Sequence, residues 1–173
     1  MSIPNYQDAA NTANGEVLRV GEDEWVKIYN HSTTTALTVG YGYAISTKVD
    51  ATDTTAPIFY RIPVAPVTAG TAHVEIGVAE TAIAALAHGF LKTKGKVEAY
   101  VNGTTYDVAY GDTLGLVTAG TAFVRVIAAT EGVSVQPTIT ASAIALEAVT
   151  ADAATLVSIV LLGGQRGIPA ATA

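Results

Sequence analysis

The side chains in this chain that could do chemistry are three histidines, a scatter of carboxylates and a few serines. The histidines are His31, His73 and His88. His73 and Glu75 stand two residues apart, so on a strand they face the same way. A metal site needs several such ligands converging, and no second pair lies near them in sequence. His31 follows Asn30 in a turn and reads as solvated. His88 precedes Gly89 and reads as a turn cap. Glu75, Glu80, Glu98, Asp107, Asp112, Glu131 and Glu147 could in principle supply the paired carboxylates of glycoside cleavage. Turns and outward strand faces account for them more simply, and one Trp with three Phe is a poor stock for a sugar platform. No Ser occupies a Gly-x-Ser-x-Gly elbow. The stretch Gly163-Gly164-Gln165-Arg166-Gly167 lacks the Lys-Ser/Thr ending of a phosphate loop. With no cysteine, thiol catalysis, disulfides and thiolate metal sites are excluded. The expectation is no catalytic, metal-binding or cofactor-binding residue, and no enzyme.

The elements that would carry any site read as strands. Val17 to Val20 and Trp25 to Tyr29 flank a turn at Gly21-Glu22-Asp23, and the second alternates apolar and polar residues. Further strands are expected at 35–39, 41–46, 58–62, 73–79, 90–93, 96–101, 113–118, 122–129, 132–136, 142–149 and 155–162. Pro63 and Pro66 cannot donate ladder hydrogen bonds and mark an edge or a crossing segment. Residues 80–87 read as one helical turn or a loop. Asn102-Gly103 between alternating flanks predicts a type I′ hairpin turn. Lys92, Lys94 and Lys96 read as a solvated face broken by a turn at Gly95. Turn signals at intervals of about 8 to 12 residues predict an all-β fold, a β-sandwich or β-barrel of short strands with minimal helix.

Composition narrows the class. Half of the 173 residues are hydrophobic, much of that being Ala, and only 14% are charged. A surface with so few charges suits a protein whose faces become covered by assembly. The net charge of −6 and the absence of a basic patch exclude phosphate-driven nucleic-acid binding. Residues 1–14 are polar, have no basic start or apolar run, and read as an arm rather than a signal peptide. Its only adhesive residues are Ile3, Pro4 and Tyr6, the candidate partner-binding residues. The apolar run from Ile159 to Leu162 is far too short to span a bilayer.

The hexapeptide VTAGTA occurs at 67–72 and again at 117–122, each time ahead of an alternating segment. A degenerate copy, VTADAA, starts at Val149. A repeated turn-and-strand unit builds sheet and packing surface. The predicted organisation is an arm at 1–14, a β region at 15–66, a repeat-bearing β domain at 67–163 and a tail at 164–173.

The order of segments also resembles a β-rich module of tailed-phage virion proteins. Trp25-Val26-Lys27-Ile28-Tyr29-Asn30 matches its strand ending in an Asn turn. Ile76-Gly77-Val78-Ala79, Ala87-His88-Gly89 through Gly95-Lys96-Val97, Gly111-Asp112-Thr113-Leu114, Ile144 to Ala148 and Val157 to Leu162 follow in the module's order. The match covers roughly four-fifths of the chain and departs at Leu86, where a glycine or polar residue is common. The module is similar to those of capsid decoration (cement) proteins, and related ones occur in tail fibres and baseplates. The resemblance implies a non-catalytic protein on the outer capsid surface of the virion. It implies the major capsid protein and sister subunits, most simply as a homotrimer, as partners, with no nucleic acid, membrane or cofactor. The alternatives are a tail fibre or baseplate component, or a β-barrel carbohydrate-binding protein.

Overall fold

A computed structural model describes residues 17–30, 32–49, 59–64, 75–104, 106–116, 122–126, 141–150 and 153–163. Among them there is no helix, and the all-β expectation holds. The strands are β1 (Val17–Val20), β2 (Asp23–Tyr29), β3 (Gly42–Val49), β4 (Phe59–Val64), β5 (Glu75–Val78), β6 (His88–Asn102), β7 (Thr113–Leu116), β8 (Phe123–Arg125), β9 (Ala141–Ala145) and β10 (Ala154–Leu162).

Two sets of five strands carry the same order and share β6. In the C-terminal set, the second half of β6 pairs with β10, β10 with β9, β9 with β7 and β7 with β8. A parallel bridge from Phe123 to Val101 returns β8 to β6 and closes a barrel. In the N-terminal set, β2 pairs with the first half of β6, then β5, β3 and β4 follow. In both sets the order is first strand, last, fourth, second, third. β4 lies against β2, and among the described residues no ladder joins the two. β1 extends this set as a hairpin partner of β2. β3 and β5 pair across the expected division at residue 66.

The connections repeat as well. After the first strand of each set, the chain makes an Asx turn, a single bridge residue and a tight turn. Asn30 Oδ1 accepts the Ser32 N–H, and Asn102 Oδ1 accepts the Thr104 N–H. Leu37 then bridges to Ile83, as Val108 bridges to Val149. Gly40 N–H donates to Ala79 O at 2.9 Å, and its counterpart Gly111 N–H donates to Ala145 O at 2.8 Å. Both glycines sit at positive φ, 78° and 86°, where a Cβ is unfavourable. Leu86 occupies the same kind of turn at φ 55°. Leu86 therefore lies at a backbone position suited to glycine.

Each set has its own core. Val97, Ala99 and Val101 of β6 and Val157, Ile159 and Leu161 of β10 point into the closed barrel around Phe123 and Leu114. Their alternation is that of a pleated strand with one buried face. The N-terminal set is filled by Val26, Ile28, Leu37, Ile45, Ile83 and Leu91. The sets interlock where β3 begins. A Cβ on Gly42 would meet Leu116 Cδ1 at 2.8 Å and Phe123 Cε2 at 2.9 Å. Tyr100 N–H donates to Gly40 O at 2.8 Å, and Tyr41 meets the Tyr100 ring edge-on at 5.2 Å.

Several local expectations are corrected. Asn102-Gly103 is not a type I′ turn, because neither residue has positive φ. Asn102 instead folds its own side chain over the following backbone, and residues 94–102 pair with β10. Gly95 does not end a strand. β6 runs through it for 15 residues, roughly 50 Å at the usual rise if straight. Pro63 is accommodated because β4 ends the strand path, as its missing donor requires. Pro66, the stretch 132–136, both intact VTAGTA copies apart from Ala122, the arm and the tail lie outside the described residues.

Candidate functional site

The densest group of charged side chains lies where β6 passes from one strand set to the other. Its origin is a bulge. Trp25 pairs with Lys92 and Glu24 with Lys94, so Thr93 is an extra residue on β6. A bulge locally shifts side-chain facing. Here it turns Lys92 inward while Lys94 and Lys96 stay exposed. The expected solvated face of three lysines is thus corrected: Lys92 is only 4% exposed.

A buried ammonium requires partners, and Lys92 has four. Its Nζ lies 3.2 Å from Asp23 Oδ2 and 3.7 Å from Glu80 Oε1. It donates to Lys96 O at 2.8 Å and sits 4.9 Å from the Trp25 ring centroid, within cation–π range. The Trp25 indole N–H donates to Glu80 Oε2 at 2.6 Å. That bond holds one Glu80 oxygen and leaves the other facing the ammonium. Asp23 is buried at the start of β2. Gly95, at φ 100°, lies so close that any Cβ there would collide with Asp23 Oδ1. Beside this group, Glu24 accepts Thr93 Oγ1–H at 3.3 Å and pairs with Arg19 at 2.7 Å. Trp25 packs with Phe90 and Leu18. Two carboxylates and one amine thus share a largely dry space beneath an aromatic ring.

The other sequence candidates are dispersed. Ile3, Pro4, Tyr6, His31, His73, Glu131 and the side chain of Glu75 lie outside the described residues. His88 opens β6, with its ring 4.8 Å from that of Tyr29. Its Nδ1 is buried and has no hydrogen-bond partner. Burial, and then the charge of Lys27, hold the His88 imidazole below its usual titration range. Asp112 accepts the Ala109 N–H at 2.8 Å and pairs with Arg125 at 3.1 Å. Glu147 accepts the Ser158 N–H at 3.0 Å, which lowers its pKa although it is exposed. Asn30, 2% exposed, spends its side-chain N–H groups on Thr35 O, Ile83 O and Ala84 O. Among the described residues no three His, Asp or Glu side chains form a metal-binding group.

Of this group, the sequence reading named Glu80 and Lys92 but linked neither to Asp23 or Trp25. The usable signals were the lone Trp and the sequence Leu91-Lys92-Thr93, a lysine flanked by residues suited to burial. No protein family, curated protein or solved structure matches this chain, so what the group does has to be read from its geometry.

Proposed function

We propose that the chain is a non-catalytic structural protein of a tailed-phage virion, a cement protein that decorates and stabilises the outer surface of the capsid. Its partners are the major capsid protein and its own copies, arranged as a homotrimer at local threefold positions of the shell. The resemblance of segment order supports this reading, and the observation that carries it is Leu86. A leucine at positive φ is disfavoured by about 1–2 kcal/mol, and this one leaves 54% of itself exposed. Strain kept at an apolar side chain that is half exposed fits a role for that side chain outside the chain. Val39 and Tyr110, at the matching turns of the two strand sets, are likewise exposed large apolar residues, 45% and 74%. Three projecting apolar tips on hydrogen-bonded turns suit a protein that covers other protein surfaces.

Cement function requires only modest affinity per copy. A ligand at about 100 times its Kd adds roughly 2.7 kcal/mol to the state it binds, and a shell offers many sites. The experiment adds purified protein to capsids lacking it and follows the temperature of DNA release. A rise, reduced by Leu86→Gly and by Tyr110→Ser, is the expected result. No rise, with the protein located on the tail, replaces the capsid reading with the tail reading.

A further inference from the structure

The geometry points to a covalent cross-link: Lys92 and Asp23 form an intramolecular amide, joining β6 to β2, with Glu80 as the proton carrier. Amide formation needs an amine, a carboxyl group and a proton relay, held together and shielded from water. All three are present. Lys92 Nζ lies 3.2 Å from Asp23 Oδ2 and 3.7 Å from Glu80 Oε1, and the Lys92 and Asp23 residues are 4% and 8% exposed. The reacting atoms are Lys92 Nζ and Asp23 Cγ, and an ion pair this close holds the amine beside the carbon it attacks, so that proximity replaces a bimolecular encounter.

Each neighbour has a definable part. Trp25 fixes Glu80 through Oε2 at 2.6 Å, leaving Oε1 toward the amine. Gly95 leaves room for the Asp23 carboxyl, which any larger residue would displace. Lys96 O orients the amine. The ion pair is also an energetic liability. Two buried charges recover their desolvation only with good geometry, whereas a neutral amide carries no such penalty.

The step balances without an outside reagent. Glu80 moves one proton from the Lys92 ammonium to the Asp23 carboxylate, so that amine and acid are both neutral. The nitrogen lone pair attacks Asp23 Cγ and a C–N bond forms. Glu80 takes a second proton from that nitrogen and passes it to the Asp23 hydroxyl. The C–O bond breaks and the oxygen departs as water. An ammonium and a carboxylate become one amide and one water, and Glu80 ends as it began.

The test is the intact mass of the purified full chain, followed by peptide mapping. The expected mass is lower by one water than the sequence requires, with one peptide linking the Asp23 and Lys92 segments. Lys92→Arg and Asp23→Ala should each restore the full mass and abolish the linked peptide. Glu80→Gln keeps both reacting groups and should greatly slow or abolish the loss of water, while far-UV circular dichroism reports an intact fold. A wild-type chain at full mass after prolonged incubation overturns the proposal. So does a loss of water that survives Lys92→Arg, or a linked peptide that forms equally fast in a folded Glu80→Gln protein.

Discussion

The two strand sets share an order but solve burial differently. The C-terminal set closes on itself, and its core is aliphatic around one phenylalanine. The N-terminal set has β4, a proline-bearing strand, at the end of its described ladder and contains the buried ion group beside its bulge. A closed ring satisfies every strand edge and can rely on apolar packing alone. The N-terminal set carries a strand buried on nearly both faces, β2, in which even Asp23 and Lys27 are covered. Polar partners then have to be built in, because a buried charge without one is strongly destabilising. The same topology is thus held mainly by shape in one half and partly by charge in the other.

The largest effect should come from Phe123, where the halves meet. Phe123→Ala empties the closed core and removes the surface against which Gly42 packs. A loss of about 3–5 kcal/mol is expected, read as a fall in urea midpoint. If the halves were independent, two transitions would appear instead of one shifted one. Gly95→Ala probes the charged half. It forces a Cβ into a left-handed position and onto Asp23, and about 2 kcal/mol should be lost. Preserved stability would show that the ion group tolerates rearrangement. Leu86→Gly should change stability in the other direction, by about 1 kcal/mol, with no loss of secondary structure by circular dichroism.

The smallest effect concerns His88. Its folded pKa is depressed, so the unfolded chain binds its proton first as pH falls. Stability from this group is therefore present above the unfolded value of about 6.5 and is lost as pH drops through the lower folded value. His88→Gln should flatten the fall in melting temperature on acidification below that point. An unchanged slope would assign the acid sensitivity to other groups.

The fold class was legible because strands with one buried face write their alternation into the sequence. Val97 to Val101 and Val157 to Leu161 are the clearest cases. The ion group was not legible, because its facing depends on one extra residue, Thr93, whose effect exists only once β2 is alongside. Asn102-Gly103 misled for a related reason. The sequence offers two positive φ angles, and the Asn side chain meets the local backbone need without them. The duplication was hidden by a louder signal. The two VTAGTA copies precede β5 and β8, the fourth strand of one set and the third of the other. The matching elements share little more than a bridge residue and a glycine turn.

One strand shared by two strand sets has a thermal consequence. Most two-core chains are joined by a linker, and either half can melt while the other stays folded. Here no linker separates the halves, because the single strand β6 belongs to both. Melting the N-terminal set frees the first part of β6 and unseats the Gly40 turn from Tyr100. Melting the C-terminal set removes the continuation of the same strand and the floor beneath Gly42. Heat should therefore meet a single cooperative block, with calorimetric and van't Hoff enthalpies in agreement. Cleavage at Gly95 should leave no fragment able to fold alone.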